Sequence, residues 1–545
     1  MKTFLKNSHP LTVWIVLGAL VILNLSVHSP LLIKNYFGES DSARKTNSCI
    51  LASYEGDFSH TEYTLHSSPL YMDLVRYSLK ADILAIGGIP FALAVASLIS
   101  SAVVTGALFL FVFRLTHSVS VASGASFILQ LIPTFWLNSL YGFPTIVALA
   151  FLMLSLVLFQ GALGEGLLGY KYVGFLGAAI LYVLAVLTKV DSLLASAIYF
   201  LPLWRSDQGL KSKVIWAGVL VIFSSLVFLL FTQYEKSLVA GSAQTGFSWS
   251  FWSAQWPFRL GAFFSKVNIV TIVCAVGILS IPVAFAGLVV IGKRKEWRST
   301  IFWLLMSGLP LPLFWGMRPG NSARHNFIST IPLCIILAMP LIMEKWKKIA
   351  WAALLIVMCL TNYFFFPAHA STLLPSGRLL PSTHLLTESM KSLHLSGRTI
   401  AHLPYEKVAV VGGSEIAPFF RFELLRRGKM YQMERGRVTP TYNFELHRLH
   451  RRNESRQMEQ TSKKELGNAH ETQVFLWIHR EHEFRTSDSK HVVPDFMGLV
   501  GQGYFLVAGD NNAAKMMANT AELRGRWKTL DHLMHTNQIP GEDLR

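Results

Sequence analysis

The sequence predicts a polytopic α-helical membrane protein that ends in a small soluble domain. Of its 545 residues, 52% are hydrophobic and only 15% are charged, whereas soluble domains carry about 25% charged residues. Long apolar stretches separated by short polar connections fill the first two-thirds of the chain. After residue 366 the sequence becomes mixed and polar, which indicates a second kind of domain.

The length of the apolar stretches predicts the number of transmembrane helices. A hydrocarbon core of about 30 Å requires roughly 20 apolar residues per helix. About eleven stretches meet this requirement, near residues 11–31, 90–113, 119–137, 143–160, 173–190, 192–204, 213–232, 267–291, 300–316, 326–343 and 349–366. The stretch 192–204 is short, so it is either half-inserted or fused to its neighbour. The first stretch lacks a small-x-small cleavage site, which favours a retained span over a signal peptide.

Loop charges predict the orientation of these spans. Cytoplasmic loops of membrane proteins are enriched in Lys and Arg. A cytoplasmic N-terminus places all the basic connections on that side, at Arg114, Lys171, 205–213, 293–298 and 344–348. The other face receives the first outer loop 32–82, the loops 137–143, 233–266 and 317–326, and the C-terminal region. We therefore predict a multi-pass protein of the cell inner (plasma) membrane. We attribute the net charge of +17 to loop residues that orient the spans, and not to a nucleic-acid-binding site.

The two parts of the chain are predicted to be a transmembrane domain, 1–366, and an extracytoplasmic α/β domain, 367–545. Residues 408–411, 474–478 and 504–508 have the pattern of strands, and 416–427 that of a helix. The Gly412-Gly413 pair between the first strand and this helix is either a structural turn or an anion cradle. The four cysteines show neither a metal-binding nor a disulfide spacing.

Two acidic residues stand near the start of the first outer loop. Glu39 and Asp41 follow the first span by about ten residues, so they are expected close to the bilayer surface. A carboxylate there can act as a general base on an acceptor hydroxyl or amine. The pair can also chelate a divalent cation through its oxygens, or can simply make the loop soluble.

The first outer loop as a whole resembles that of the C-superfamily (GT-C) of membrane glycosyltransferases, such as protein O-mannosyltransferases and lipid A aminoarabinose transferases. It begins with acidic residues, contains a His-x-x-Pro-Leu-Tyr element from His66 to Tyr71, and ends in an amphipathic stretch, 72–79. Those enzymes take a sugar from a polyprenyl-phosphate carrier and use a loop Asp as base. The resemblance implies that Asp41 is the base, with Glu39 as the alternative, and that His66 and Tyr71 belong to the substrate loop.

Basic residues predicted on the same face fit the carrier phosphate. Lys189 closes the fifth span, and Arg324 precedes a proline-containing span, with Arg318 and His325 beside it. The resemblance implies that these residues bind the phosphate of the donor. Lysine is a point charge suited to phosphate and arginine a planar fork. Alternatively, these side chains anchor helix ends by extending to the interface.

Aromatic residues concentrate in the outer loop 233–266, which includes Trp252 and Trp256. Such clustering is typical of helices that lie in the headgroup layer. The same rings can border a groove for an isoprenoid chain or stack on a sugar.

The resemblance implies a glycosyltransferase that moves a sugar from a polyprenyl-phosphate carrier to a lipid, glycan or protein acceptor at the outer face. Its partners would be the lipid-linked donor, membrane lipids and an acceptor of unknown identity, with no nucleic acid. No cofactor is expected, apart from a divalent cation at Glu39 and Asp41. A transporter or flippase, a ligase or polymerase, and a membrane-anchored scaffold remain alternatives. A transporter predicts charged residues deep within spans or broken helices in matching halves.

Overall fold

The computed structural model describes residues 10–29, 43, 46–47, 70–71, 73–75, 89–140, 142, 144–164, 168–238, 264, 269, 273, 275–317, 327–373, 407–412, 422, 431–434, 437–440, 443–448, 472–476, 506–508 and 527–529. The chain forms two compact units. The first unit contains the described helices and the second contains the described strands.

Apolar helices build the first unit. In chain order they are α1 (Pro10–His28), α2 (Ile89–Thr116), α3 (Val119–Leu131), α4 (Pro133–Leu140), α5 (Pro144–Leu163), α6 (Leu168–Thr188), α7 (Asp191–Leu194), α8 (Phe200–Arg205), α9 (Leu210–Leu238), α10 (Ser280–Gly292), α11 (Arg298–Gly308), α12 (Pro310–Gly316), α13 (Thr330–Ala338) and α14 (Lys345–Leu373). Short 3₁₀ turns cover Ser196–Tyr199, Lys295–Trp297 and Met339–Ile342. Helices overlap every one of the predicted apolar stretches.

Five described helices are long and apolar enough to cross a membrane, or six if one bent pair counts as a single span. The five are Leu11–His28, Phe91–Thr116, Pro144–Leu163, Lys171–Thr188 and Leu210–Tyr234. The structure therefore confirms a protein with several membrane-spanning helices. The count of eleven spans stays a prediction.

The bent pair replaces the predicted continuous span 119–137. Helix α3 ends at Leu131, and α4 begins at Pro133 after a bend of 67°. Proline has no N–H to donate and disfavours helical geometry in the residue before it. Ile132 accordingly has extended backbone angles, φ −74° and ψ 129°. The bend is thus encoded by Pro133.

Basic connections that were predicted to share a face lie together at one end of the helical unit. The Arg205 guanidinium donates to the carbonyl oxygen of Glu296 (3.3 Å) and lies over the Trp297 ring, 4.6 Å from its centroid. The Lys348 ammonium donates to the Ser120 hydroxyl (2.5 Å). The contacts join 205–213 to 293–298 and 344–348 to the connection after Arg114, and the orientation of the spans stays a prediction.

Connections predicted on the other face meet at the opposite end of α2. There Gly142, in the turn between α4 and α5, lies against Leu93, whereas Arg114 stands at the far end of the same helix. The ring of His28 lies edge-on to Phe135 (6.2 Å between centroids), and Phe135 lies beside Phe327 (5.9 Å). The end of α1 and the start of the predicted tenth span are therefore close neighbours.

The described strands of the second unit form one three-stranded sheet and two pairs. They are β1 (Lys407–Gly412), β2 (Tyr431–Glu434), β3 (Arg437–Pro440), β4 (Asn443–Arg448), β5 (Thr472–Leu476), β6 (Leu506–Ala508) and β7 (Trp527–Thr529). Strand β1 pairs in parallel with both β4 and β5, with Lys407 opposite Asn443 and Thr472. Strands β2 and β3 are antiparallel, and β6 and β7 are parallel.

Strands β1, β5 and β6 confirm the three predicted strands. Parallel neighbours need crossover connections, which agrees with an α/β arrangement. The predicted helix 416–427 lies outside the described residues except for Phe422. The α/β class of this domain and its boundary at 366–367 therefore stay predictions.

Candidate functional site

Most of the predicted site residues lie outside the described part of the chain. They are Glu39, Asp41, His66, Trp252, Trp256, Arg318, Arg324 and His325. The structure describes Lys189 and Tyr71, together with segments that flank the others. The assignment of these residues to a common site stays a prediction.

Lys189 lies in the tight connection between α6 and α7. Its backbone N–H donates to the Ala185 carbonyl (2.9 Å), and its own carbonyl accepts from the Ser192 N–H (3.0 Å). Its ammonium is 3.6 Å from the carboxylate of Asp191, with side-chain exposures of 14% and 7%. The pair is therefore largely withdrawn from solvent. Lys189 does not extend freely into water, as an interfacial anchor would.

Asp191 was not among the residues predicted to act. Because it is 5% exposed, its carboxylate needs a cation or hydrogen-bond donors beside it. Lys189 supplies that charge and is in turn held at the end of α6. A phosphate that binds Lys189 must therefore compete with, or add to, the Asp191 carboxylate.

Tyr71 fixes the last part of the first outer loop against the helical unit. It is 5% exposed, and its hydroxyl donates to the Gly142 carbonyl (2.5 Å). Gly142 has φ +69°, a conformation that side-chain-bearing residues rarely adopt, and an added Cβ would lie 2.8 Å from that of Leu93. The predicted substrate-loop residue thus has a structural contact with the α4–α5 turn.

A second contact fixes the amphipathic stretch that follows Tyr71. The Tyr234 hydroxyl, near the end of α9, donates to the carboxylate of Asp73. Tyr234 is at the start of the aromatic loop 233–266, so this hydrogen bond joins two segments that were predicted to lie on one face.

An apolar groove of about 620 Å³ opens between α6 and α9. Its walls come from α5, α6, α9 and the segment that follows Asp191. Lining rings include Phe159, Phe175, Tyr182, Tyr199, Trp216 and Phe223. Phe175 stacks on Trp216 with 4.6 Å between centroids.

The polar atoms in the walls of this groove have partners. The Tyr182 hydroxyl donates to Ser224 (3.1 Å), and the Tyr199 hydroxyl donates to Ser155 (2.6 Å). Because these hydroxyls are already paired, the groove presents an apolar surface. Such a surface fits a hydrocarbon chain and offers little to a sugar or phosphate. Sequence reasoning missed it because aromatic residues at helical spacing look like ordinary core.

A layer of paired polar side chains crosses the interface between α1 and α2. Asn24 donates to Thr105 (3.3 Å) and accepts from Ser101 (2.8 Å). The polar spacing i, i+4, i+8 of Ser97, Ser101 and Thr105 in an otherwise apolar span was a sequence pattern that could have revealed it. Gln130 donates to the Leu20 carbonyl (3.2 Å) and so contributes to the packing of α3 against α1.

A metal centre is not apparent among the described residues, where no three His, Cys, Asp or Glu side chains group together. Glu39 and Asp41, the predicted cation ligands, are outside that part of the chain. The divalent cation therefore stays a prediction.

Three solved structures have a similar fold. The Archaeoglobus fulgidus oligosaccharyltransferase in its apo form aligns with a TM-score of 0.50 and 12% identity, over 80% of this chain and 65% of that chain. Its complex with zinc and sulfate gives 0.50 and 12%, over 78% and 62%. ArnT from Cupriavidus metallidurans bound to undecaprenyl phosphate gives 0.50 and 12%, over 75% and 84%.

The chain thus spans less than two-thirds of the length of the archaeal enzyme. No protein-family model and no curated protein matches the sequence. Both solved enzymes are membrane glycosyltransferases of the C-superfamily, and the alignments cover at least 75% of this chain. The chain therefore has a GT-C-like fold, as the sequence of its first outer loop indicated.

Proposed function

We propose that the protein is an inverting glycosyltransferase that transfers a sugar from a polyprenyl-phosphate carrier to an acceptor at the outer face of the membrane. The observation that carries the proposal is the GT-C-like fold together with a lysine largely withdrawn from solvent at the end of α6 and an apolar groove between α6 and α9. The solved ArnT structure with this fold contains undecaprenyl phosphate. A lysine for phosphate and a groove for hydrocarbon are the two features that such a carrier requires.

In this proposal Asp41, with Glu39 as its alternative, removes the proton from an acceptor hydroxyl or amine. The acceptor oxygen or nitrogen then attacks the anomeric carbon, and the bond between that carbon and the phosphate oxygen breaks. The electron pair leaves with the polyprenyl phosphate, so one displacement inverts the anomeric configuration. A divalent cation at Glu39 and Asp41 would lower the basicity of both carboxylates.

The departing phosphate carries the developing negative charge. Lys189 and Arg324, with Arg318 and His325, would stabilise it, because fixed cations in a site of low polarity act strongly on charge that develops in the transition state. His66, Tyr71, Trp252 and Trp256 would border the sugar and the acceptor. Tyr71 contributes through the loop that its contact with Gly142 holds.

The isoprenoid chain of the carrier would occupy the groove between α6 and α9. The α9 residues that line it run from Trp216 to Leu229, about 20 Å along a helix that rises 1.5 Å per residue. That length accommodates several isoprene units. The aromatic loop that follows α9 would cover the phosphate end of the chain.

The membrane arrangement that completes the proposal has about eleven spans, a cytoplasmic N-terminus, and an extracytoplasmic domain at 367–545. The grouping of basic connections at one end of the helical unit supports this orientation. The inner membrane is the compartment that offers a polyprenyl-phosphate donor on its outer face.

Purified protein in proteoliposomes, supplied with polyprenyl-phosphate sugars and candidate acceptors, tests the proposal. Wild type should release polyprenyl phosphate, and Asp41→Asn should lower that rate about 10²-fold or more, because general-base catalysis contributes that much. Asp57→Asn, a matched change in the same loop, should leave the rate unchanged. Undiminished turnover in Asp41→Asn excludes the base, and substrate flux without any turnover supports a transporter instead.

A further inference from the structure

Three buried polar atoms at the His28 end of the helical unit have no hydrogen-bond partner among the described residues. They are His28 Nε2, Ser97 Oγ and Asn138 Oδ1. The exposed fractions of these residues are 0%, 1% and 1%. A buried polar atom without a partner costs about 1–3 kcal/mol, so three of them in one region require an explanation.

His28 and Ser97 lie at one level of the bundle, and Asn138 lies on the helix whose Phe135 contacts His28. Helices α1 and α2 are antiparallel, because Asn24 contacts Ser101 whereas Leu17, earlier in α1, lies beside Gly106, later in α2. His28 is one turn beyond Asn24, and Ser97 is one turn beyond Ser101 in the same direction, about 6 Å along each axis. These two residues are therefore at the same level. Asn138 lies one turn after Phe135, whose ring contacts His28.

The hydrogen-bonding character of the layer is set by its existing contacts. The Nδ1 of His28 is 2.9 Å from the Asn24 carbonyl oxygen, so Nδ1 carries the proton. In the neutral ring Nε2 is then an acceptor. The amide nitrogen of Asn138 donates to the Thr134 carbonyl (2.6 Å), which leaves Oδ1 as a second acceptor. Ser97 adds a hydroxyl that can donate or accept.

We infer that this layer, which we call the acceptor layer (His28, Ser97 and Asn138), binds hydroxyl groups of the transferred sugar. Two unpaired acceptors repel phosphate oxygens and gain nothing from hydrocarbon, whereas a hydroxyl donates to them. The next layer inward, Asn24 with Ser101 and Thr105, is already paired and closes the site from below. The acceptor layer also adjoins Phe135 and Phe327, the latter two residues after His325 in the sequence. This inference rests on the proposed function, because it assigns the sugar subsite of the same donor.

The contact with the sugar is tested by comparing the affinity of the protein for two lipids. Both have a phosphate and an isoprenoid chain, and only one carries a sugar. Wild-type protein should bind undecaprenyl-phosphate glucose or mannose more tightly than undecaprenyl phosphate. His28→Phe keeps a ring against Phe135 but removes the acceptor, so it should reduce this preference about tenfold for one lost hydrogen bond. Its affinity for undecaprenyl phosphate should not change.

Two further variants separate sugar binding from a structural effect. His28→Gln restores an acceptor and should recover part of the preference. Thr300→Val removes another buried unpaired hydroxyl, in the first turn of α11, and should leave the preference intact. If ordered water occupies the layer instead, His28→Phe changes only the thermal midpoint, and an unchanged preference overturns the inference.

Failure of the proposed function can be told apart from failure of this inference. A sugar preference that depends on His28, without release of undecaprenyl phosphate by wild type, rejects transfer but keeps the sugar site. Wild-type protein that binds the two lipids equally, or binds neither, overturns the sugar site. Turnover by wild type with a preference that His28→Phe does not alter keeps transfer and rejects the role of His28.

Discussion

The cationic side chains at the two ends of the helical unit differ in what they contact. At the basic end, Arg205 contacts the Glu296 carbonyl and the Trp297 ring, and Lys348 contacts the Ser120 hydroxyl. At the other end, Lys189 faces the carboxylate of Asp191. The acidic partner of Lys189 is buried, whereas the ion pair of Lys347 with Glu344 at the basic end is exposed, so of these two lysines only Lys189 has its charge held in place away from water.

Polar side chains without charge differ between the interior and the end of the same unit in a similar way. Asn24, Ser101 and Thr105 pair with one another in the interior. His28, Ser97 and Asn138, one turn further out, retain unpaired atoms. Burial alone therefore does not identify a candidate site. An unpaired buried atom such as Thr300 Oγ1 or Gln130 Oε1 does not identify one either, so the acceptor layer is distinguished by three such residues at one end of the bundle.

The largest expected effect comes from Lys189→Met, because it removes a cation proposed to stabilise the departing phosphate. Turnover of polyprenyl-phosphate sugars should fall about 10²-fold or more, as when one transition-state donor is removed. The thermal midpoint should fall as well, because Asp191 is left buried and unpaired.

The double variant Lys189→Met with Asp191→Asn distinguishes the two effects. It removes the unpaired charge, so the thermal midpoint should recover while turnover stays low. Recovery of turnover along with stability would show that Lys189 has only a structural role. The cations at the two ends of the helical unit would then not differ in function.

An intermediate effect is expected from Gly142→Ala at the Tyr71 contact. The positive φ and the 2.8 Å approach to Leu93 should lower the free energy of unfolding by about 2 kcal/mol, measured by denaturation in detergent. Gly18→Ala in α1 is the matched control, because an added Cβ there meets no atom within 4 Å. Equal stability of the two variants would mean that the α4–α5 turn adapts and does not fix the loop.

The smallest effect is expected at the basic end. Arg205→Ala removes a cation–π contact and one hydrogen bond, so stability should fall by about 1 kcal/mol or less, with turnover unchanged. Burial lowers the pKa of Arg205, and the nearby Glu296 carboxylate raises it. Because arginine stays protonated in proteins, the loss should not depend on pH. A large loss of turnover would show that this end also takes part in the reaction.

Several features were correctly predicted from local sequence. The apolar stretches contain helices, β1, β5 and β6 lie where strands were predicted, and the basic connections gather at one end. Each of these follows from composition or short-range periodicity. The resemblance of the first outer loop indicated the GT-C-like fold because that loop combines acidic residues, the element ending at Tyr71, and an amphipathic stretch.

Other features depend on contacts between distant segments. The groove joins aromatic residues of α6 and α9, the Asp73–Tyr234 hydrogen bond joins residues far apart in the chain, and the acceptor layer comes from three helices. No local pattern distinguishes Trp216 in a groove from a tryptophan in a core. Lys189 and Asp191 are close in sequence, but their burial depends on contacts with segments that are distant in sequence.

The sequence by itself determined the membrane class, the positions of the helices and the end of the bundle at which the charges collect, because these depend on hydrophobicity and loop composition. Only the tertiary structure decided which polar groups are paired and which are left with open hydrogen-bonding capacity. Pairing depends on the register of antiparallel helices such as α1 and α2. That register is set by side-chain packing across helices, which no single segment contains.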